Sequence, residues 1–216
     1  MSQISVHGMA SASISPEIAI AKLVVEFTGT DHPATLARAK QAHKTVMTSA
    51  EIMLHNGQAT RVVSPTVRNW VFDEWLHLDS GHSERRATHY RAGTSVDIWF
   101  TDLAVLGGWL AEVAKIIGVE VRGVVWDLTE ATRETTMRTV RMEAARDAVQ
   151  RAADYADALG LGDVRLSGIY ELTSPADDRE DAPPLRPGPH GTEISVELRP
   201  EDITLSALVR AEFDAD

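Results

Sequence analysis

Histidine and carboxylate residues lie close together in one short stretch near the middle of this sequence. His77, Asp79 and His82 are followed closely by Glu84 and His89. Imidazole nitrogens and carboxylate oxygens are ligands that zinc and manganese accept, and residues at these spacings can converge in a turn. The stretch also contains Ser and Gly, which are ordinary in a solvated loop between strands. We interpret it as a polar loop and predict no metal site, with a metal-dependent enzyme as the alternative.

The motifs of catalytic and nucleotide-binding loops are missing from the sequence. It contains neither a G-x-S-x-G serine nor a G-x-x-x-x-G-K-[ST] loop. Gly160 and Gly162 resemble part of a dinucleotide-binding loop, but they follow a predicted helix and precede a predicted strand, which is the reverse of that loop's context. Gly160 is better interpreted as the end of a helix. The chain has no cysteine, which excludes disulfides and thiolate chemistry. We predict no catalytic residue and no cofactor.

Two further groups of side chains could serve a site. Glu143 and Asp147 lie one turn apart on a predicted helix, as paired carboxylates would, but arginines flank them and surface ion pairs are the simpler interpretation. Trp70 and Phe72 alternate onto one face of a predicted strand, with Trp75 on the other face. These aromatic rings could form an exposed ledge for a partner or a sugar. We expect them to pack in the core instead.

The elements that would position these residues follow from the hydrophobic periodicity. Alternation with period 2 predicts strands, and apolar residues three and four apart predict helices. The predicted strands cover residues 3–14, 18–29, 60–76, 87–101, 119–128 and 164–172. The predicted helices run from Asp31 to Asn56, over 103–117 and over 130–159.

Details of the two later helices can also be predicted. In helix 103–117, Ile117 should point inward and the pair Gly107 and Gly108 should allow close packing. In helix 130–159, an inward stripe rich in alanine lets the helix axis approach a sheet. The predicted stripe consists of Met137, Val140, Ala144, Ala148, Ala152, Tyr155 or Ala156, and Leu159.

The last part of the chain changes character. Residues 173–191 hold five prolines and a cluster of acids, which predicts a mobile loop. Ile194, Val196 and Leu198 then alternate, and a second alternating run begins at Ile203, so a C-terminal hairpin is expected. Strands and helices follow one another without strict βαβ alternation. This order predicts an α+β fold with antiparallel sheets, two long helices and one shorter helix.

The same order suggests how the chain is organised. Halves of about 1–102 and 103–216 each run roughly strand–helix–strand, which is compatible with a degenerate duplication within one domain. The formal net charge is −11, which disfavours nucleic acid and anionic membrane surfaces as partners. The first eight residues have neither a basic nor an apolar region of the kind found in signal peptides, so a cytoplasmic location is expected.

The second half of the sequence, read as one run, resembles the SIMPL-domain family, and the likeness extends from Ile4 to Phe213. It rests on several segments in order, which are residues 90–98, Asp102 and Leu103, residues 121–124, the alanine-rich helix ending at 159–162, and residues 200–207. The resemblance implies an α+β fold with long helices on antiparallel sheets. It also implies self-association in some members and links to stress or signalling partners. No catalytic residues come with it.

Two departures from the family pattern accompany this likeness. Bacterial members usually carry an export signal, and the closing turn usually holds a glycine where this chain has Pro200, Glu201 and Asp202. We predict a non-catalytic module that forms a homo-oligomer or binds an unknown protein partner. The edges of its sheets should be the N-terminal strand and the C-terminal hairpin. The alternative is a hydrolase or metal-dependent enzyme with a site near His77, Asp79 and His82.

Overall fold

A computed structural model describes residues 2–77, 83–172 and 199–215, with the side chains of 75–77 and 83–85 left out. It contains three helices and two antiparallel sheets, which confirms the predicted α+β class. The strands are β1 (Ser2–Ile14), β2 (Ile18–Gly29), β3 (Ala59–Val63), β4 (Arg68–His77), β5 (Ser83–Phe100), β6 (Val119–Asp127), β7 (Val164–Leu172) and β8 (Ile203–Ala215). The helices are α1 (His32–His55), α2 (Leu103–Val113) and α3 (Glu130–Leu159).

The contacts group the described chain into two compact units. One unit takes its described residues from Met1–Pro16, Leu128–Asp181 and Pro200–Asp216, and the other takes them from Glu17–Asp127 and Ala182–Arg199. These bounds differ from the halves 1–102 and 103–216, because β1 pairs with β8 along its whole length. The single-domain description and the internal duplication stay predictions.

The larger unit is built on a five-stranded sheet. Its order is β3-β5-β2-β6, and β4 pairs with β5 next to the end of β3. Alternation along β2 turns one set of side chains toward the helices, as predicted, and these are Ala19, Ala21, Leu23, Val25 and Phe27. Helices α1 and α2 cover that face, and the indole Nε1 of Trp109 on α2 donates to Oγ of Ser49 on α1 at 2.9 Å. The opposite face of this sheet carries the alternate residues, which include the charged side chains of Lys22, Glu26 and Asp97, and it is called the polar face below.

The smaller unit is a three-stranded sheet with one helix. Its strand order is β1-β8-β7, so β8 lies in the centre and β7 at an edge of the described sheet. In the described sheet β1 lies at an edge, as predicted for the N-terminal strand, whereas β8 does not. Residues 194–198, the other strand of the predicted hairpin, lie outside the described residues, as does the predicted loop 173–191.

Helix α3 begins and ends as the sequence predicts. Thr129 caps its first turn by accepting from the backbone N–H of Thr132, and it ends at Gly160, whose φ is 67°. Its thirty residues span about 45 Å. The buried positions repeat every four residues, at Val140, Ala144, Ala148, Ala152 and Ala156. Of the two alternatives predicted for the stripe, Ala156 is the buried residue and Tyr155 is exposed. Leu159 is also exposed, so its predicted place on the stripe is wrong, because it does not lie on this i, i+4 ridge.

Helix α2 is shorter than predicted. Its last residue is Val113, and the chain then tightens, since the N–H groups of Lys115 and Ile116 donate to carbonyls only three residues back. Ile117 consequently lies outside the helix and is 76% exposed, which corrects its predicted inward position. Gly108 has no neighbour within 4 Å of a built Cβ, so the predicted close packing is wrong there. In the described residues, no helix has the length and apolar character needed to cross a membrane.

Candidate functional site

A cavity of about 300 Å³ opens on the polar face of the five-stranded sheet, where β3 ends and β4 begins. Both strands pair with β5, but the pairing is interrupted between them. It stops where Val63 lies opposite Asp97, and it resumes where Arg68 lies opposite Gly93. Residues 64–67 are therefore not paired with β5, and the cavity is the space beside this unpaired segment.

Side-chain hydrogen bonds, instead of backbone pairing between strands, hold residues 64–67 against β5. Oγ of Ser64 donates to the carbonyl oxygen of Ser95 at 3.0 Å, and Oγ1 of Thr94 donates to that of Pro65 at 2.8 Å. On the helix side, Nε2 of His43 lies 2.8 Å from Oγ of Ser64. Burial lowers the pKa of the His43 imidazole, so the neutral ring is favoured there. The wall of the cavity is thus tied to both β5 and α1.

The floor of the cavity depends on a glycine. A Cβ at position 93 would lie 2.6 Å from the carbonyl oxygen of Val25 on the neighbouring strand, a distance that no side chain tolerates. Gly93 therefore permits the close approach of β5 to β2, and it leaves the space between Arg68 and Glu26 open. The residues that line this cavity were not predicted as a site from the sequence. Two features could have indicated them: Pro65, which interrupts a strand pattern, and Gly93, which lies within a strand.

Charged side chains around the cavity differ in how they are paired. Glu26 forms an ion pair with Arg91. The guanidinium of Arg61 lies 4.7 Å from the centre of the Trp99 ring. Arg68 is exposed and lines the cavity, and it has no ion pair or hydrogen bond to any residue that the structure describes. It is therefore available to an anionic ligand.

Asp97 lies beside Lys22 on the same polar face, since the two residues are directly paired between β5 and β2. Burial raises the pKa of the Asp97 carboxyl, and the positive charge of Lys22 opposes the rise. The ionised carboxylate is thus less favoured here than in water. It stands outside the cavity lining.

A second feature of this unit is a two-stranded arm, formed by residues 70–77 of β4 and 83–91 of β5. Pairing between β5 and β2 ends at Tyr90, so β5 before that residue pairs only with β4 in the described sheet. Trp70 is 48% exposed and Phe72 is 46% exposed on one face, and Val71 is 61% exposed on the other. The expectation that Trp70 and Phe72 pack in the core is wrong, because no helix among the described residues covers their face. The side chain of Trp75 lies outside the described set.

Polar contacts join the two strands of the arm. Nε2 of His89 lies 3.0 Å from Oε2 of Glu74, and the His89 ring stacks on Phe72 with centroids 5.3 Å apart. The hydrogen bond with His89, followed by the charge of Arg86, lowers the pKa of the Glu74 carboxyl. Hydroxyl Oγ1 of Thr88 donates to Asp73 at 2.7 Å. His89, one of the histidines of the stretch considered for metal binding, is thus engaged with a carboxylate of the arm.

The remaining residues of that stretch are only partly described. The backbone of His77 pairs with Ser83 at the end of the arm, while Asp79 and His82 lie outside the described residues, as does the side chain of Glu84. Within the described part of the chain, no group of three or more His, Cys, Asp or Glu side chains is placed to hold a metal ion. The alternative of an enzyme at His77, Asp79 and His82 therefore stays a prediction.

The other sequence candidates have structural roles. Asp147 accepts from Nε of Arg151 at 2.9 Å and from the backbone N–H of Met9 at 2.9 Å, which confirms the ion-pair interpretation at this position. Glu143 is exposed. Gly160 is the left-handed residue that ends α3, so the helix-end interpretation of this glycine is also confirmed.

Two antiparallel sheets, each with helices on one face, define the protein as an α+β protein. A family profile described as "SIMPL: Protein of unknown function (DUF541)" matches residues 4–213, nearly the whole chain, and the chain belongs to this family. No match was found among curated proteins.

One solved structure with a partial likeness is the crystal structure of a hydantoinase/carbamoylase family amidase from Burkholderia ambifaria. It is 20% identical in sequence, with a TM-score of 0.24. The match covers 52% of this chain and 28% of the amidase chain, so this chain spans less than a third of the amidase. At this level the likeness says nothing about function.

Proposed function

We propose that this chain is a non-catalytic protein-interaction module that self-associates through the arm of β4 and β5. The observation that carries the proposal is the exposure of apolar side chains on both faces of that arm, at Trp70, Val71 and Phe72. The family is of unknown function, so its membership supports the fold and leaves the role to be argued from the surface.

The geometry of the arm favours a protein partner. A two-stranded ribbon is at best marginally stable by itself in water, and it gains stability when a further strand or an apolar surface covers it. An edge strand offers unpaired N–H and C=O groups to an added strand, and alternate side chains can then fill pockets of the partner. The arm is such a two-stranded ribbon. It also offers an unpaired edge, because β4 lacks a neighbour on its outer side in the described sheet.

The charges of the arm favour a second copy of the chain over a strongly charged partner. Glu74 is bonded to both Arg86 and His89 within the arm. Pairing of opposite charges within the arm leaves little net field to attract a charged surface. Identical apolar faces can meet across a two-fold axis. The same surface of both copies then forms the contact, and each pair of contacting residues occurs twice.

The test is the solution mass by light scattering over a wide range of concentration. We expect a mass above that of the 23.6 kDa chain, falling toward it on dilution. Val71→Lys should shift the equilibrium to the monomer, because a charge would be buried in the contact. Ile117→Lys is the matched control, since Ile117 is 76% exposed and lies outside the arm. A mass of one chain at every concentration, or an unchanged mass for Val71→Lys, would overturn the proposal.

The proposal extends to the kind of partner and the compartment. A net charge of −11 disfavours phosphate backbones and anionic lipid, so protein is the expected partner, in a stress or signalling setting of the kind that the family resemblance implies. The module is proposed to act in the cytoplasm. Fractionation of cells followed by immunodetection tests the location, and recovery of the protein in an envelope fraction would contradict it.

A further inference from the structure

The cavity between β3 and β4 has the features of a formed binding site. It is held open by two side-chain hydrogen bonds from β5 and β3, by the fixed ring of Pro65 and by the missing side chain of Gly93. Its volume of about 300 Å³ lies at the lower end of the range for small-molecule sites. A site of this kind needs little reorganisation on binding, which lowers the cost of ordering.

The side chains of the lining combine one cation with one aromatic ring. Arg68 and Trp70 are two apart on β4, so they project from the same face of the sheet. The planar guanidinium of an arginine binds a carboxylate through two parallel hydrogen bonds. The Trp70 ring is half exposed and offers an apolar face on which a second ring can stack. Hydroxyl groups of Thr66 and Ser95 also lie in the lining.

We propose that this cavity binds a small aromatic monocarboxylate. The carboxylate bonds to the guanidinium of Arg68, and the ring of the ligand stacks on Trp70. Arg68 is chosen because the neighbouring arginines are already engaged: Arg91 is paired with Glu26, and Arg61 lies over Trp99. The site shares Trp70 with the arm, but it lies on the face of β4 opposite to Val71, so it does not depend on a contact made through Val71.

The charges near the site select a singly charged ligand. Glu26 lines the same cavity, and its carboxylate would repel a second negative charge on the ligand. The chain as a whole carries a formal charge of −11, which acts in the same direction at longer range. A phosphate monoester, which is nearly doubly charged at neutral pH, is therefore disfavoured relative to a carboxylate.

Ligand titration by calorimetry and by saturation-transfer NMR tests the proposal, with benzoate and indole-3-acetate as probes. We expect binding that saturates in the micromolar to millimolar range. Acetate, which has the charge without the ring, and phenyl phosphate, which has the ring with a second charge, should each bind more weakly. Tighter binding of phenyl phosphate would overturn the choice of a monocarboxylate, and no saturable binding of either probe would overturn the site.

Matched variants locate the bound ligand. Arg68→Gln should weaken binding by about 10- to 100-fold, the loss expected for a hydrogen bond to a charged group. Arg61→Gln removes an equal charge from the same face and should leave the affinity unchanged. Trp70→Leu should weaken the aromatic probes while leaving acetate unaffected. Equal losses for Arg68→Gln and Arg61→Gln would mean a general charge effect and would overturn the assignment.

Two measurements keep the outcome separate from folding and from self-association. Thermal unfolding of Arg68→Gln should match that of the parent protein, because the side chain is exposed and makes no hydrogen bond or ion pair with the described residues. If it does not match, Arg68→Lys, which keeps the charge and loses the two-pronged geometry, replaces it and should still bind more weakly. The titrations are repeated in the Val71→Lys background, where the expected affinity is the same.

Discussion

Asp97 is the residue at which charge and burial are most clearly opposed. Its pKa is raised by burial in the folded protein. Because this pKa is raised, the stabilising contribution of Asp97 is complete at pH values below the ordinary aspartate pKa of about 3.9. The contribution is lost as the pH rises through the pKa that Asp97 has in the folded protein. The ionised carboxylate at neutral pH is therefore unfavourable, although Lys22 offsets part of the effect.

We expect Asp97→Asn to gain thermal stability relative to the parent protein as the pH rises from about 4 to about 7. Melting curves of both proteins at several pH values measure the difference. Asp163→Asn, at an exposed position before β7, controls for the loss of one carboxylate from the surface. A difference that stays constant or moves the other way with pH would show that Lys22 outweighs burial.

Sequence reasoning was weakest for side chains whose burial depends on distant elements. The alternation of Trp70 and Phe72 on one face was predicted, but not that this part of β4 lies beyond the three described helices. Periodicity reports which side chains share a face, whereas exposure is decided by where other elements end. The cavity was missed for the same reason, since Arg68 and Gly93 become neighbours only through the register between β4 and β5.

Among the elements, helix α3 and strand β1 show how closely a small residue lets backbones approach. A Cβ built at Gly8 would lie 2.1 Å from the carbonyl oxygen of Ala144 and 2.6 Å from the backbone nitrogen of Ala148. Alanines at the buried positions of α3 complete this contact. The small side chains of the predicted alanine stripe thus allow α3 to pack closely against β1 at Gly8.

Gly8→Ala should destabilise the protein by about 1–3 kcal/mol or more, because the obstacle is backbone and cannot rotate away. Gly108→Ala is the contrasting change. Its added methyl group meets nothing within 4 Å on α2, and alanine is about 0.5–1 kcal/mol better than glycine inside a helix. Urea unfolding of both variants measures the two effects. Equal stability of the two would mean that β1 moves away from α3 without cost.

Ala148→Leu should cost about 1–3 kcal/mol, because three added carbon atoms have no space between α3 and β1. Ala148 is completely buried. Ala158→Leu, at an exposed position of the same helix, adds the same group to solvent and should leave the stability within about 0.5 kcal/mol. Chemical denaturation of the pair isolates the packing effect, and a stable Ala148→Leu variant would show that the contact can widen.

Element boundaries were predicted well where the sequence contains its own stop signals. Thr129 and Gly160 delimit α3, and Asp31 caps α1 through its bond to the N–H of Ala34. The end of α2 was predicted at residue 117, directly before Gly118, which is a typical residue at the end of a helix. The helix already ends at Val113, and the following residues form tight turns. The sequence has no typical capping residue at this point from which the end could have been predicted.

For the whole molecule, self-association through the arm predicts a pattern of hydrogen exchange. In dilute solution the amides of residues 83–89, which pair on one side only, should exchange much faster than those of 97–100, which lie between β2 and β3. Raising the concentration should slow the exchange of 83–89 and leave that of 97–100 unchanged. Mass spectrometry of the exchanged protein measures both segments, and no dependence on concentration in the first would contradict an arm contact.

The pairing of β1 with β8 determines when this protein can finish folding. Ser2 lies opposite Ala215 and Ile14 opposite Ile203, so β1 pairs with a strand that follows it by about 190 to 210 residues. At about 5–20 residues per second, β1 waits roughly 10–40 s for its partner, whereas the strands from Ile18 to Asp127 find theirs within one continuous segment. During that time Ile4 and Val6 belong to an unpaired apolar strand. The nascent chain therefore carries an unpaired β1 until β8 has been made.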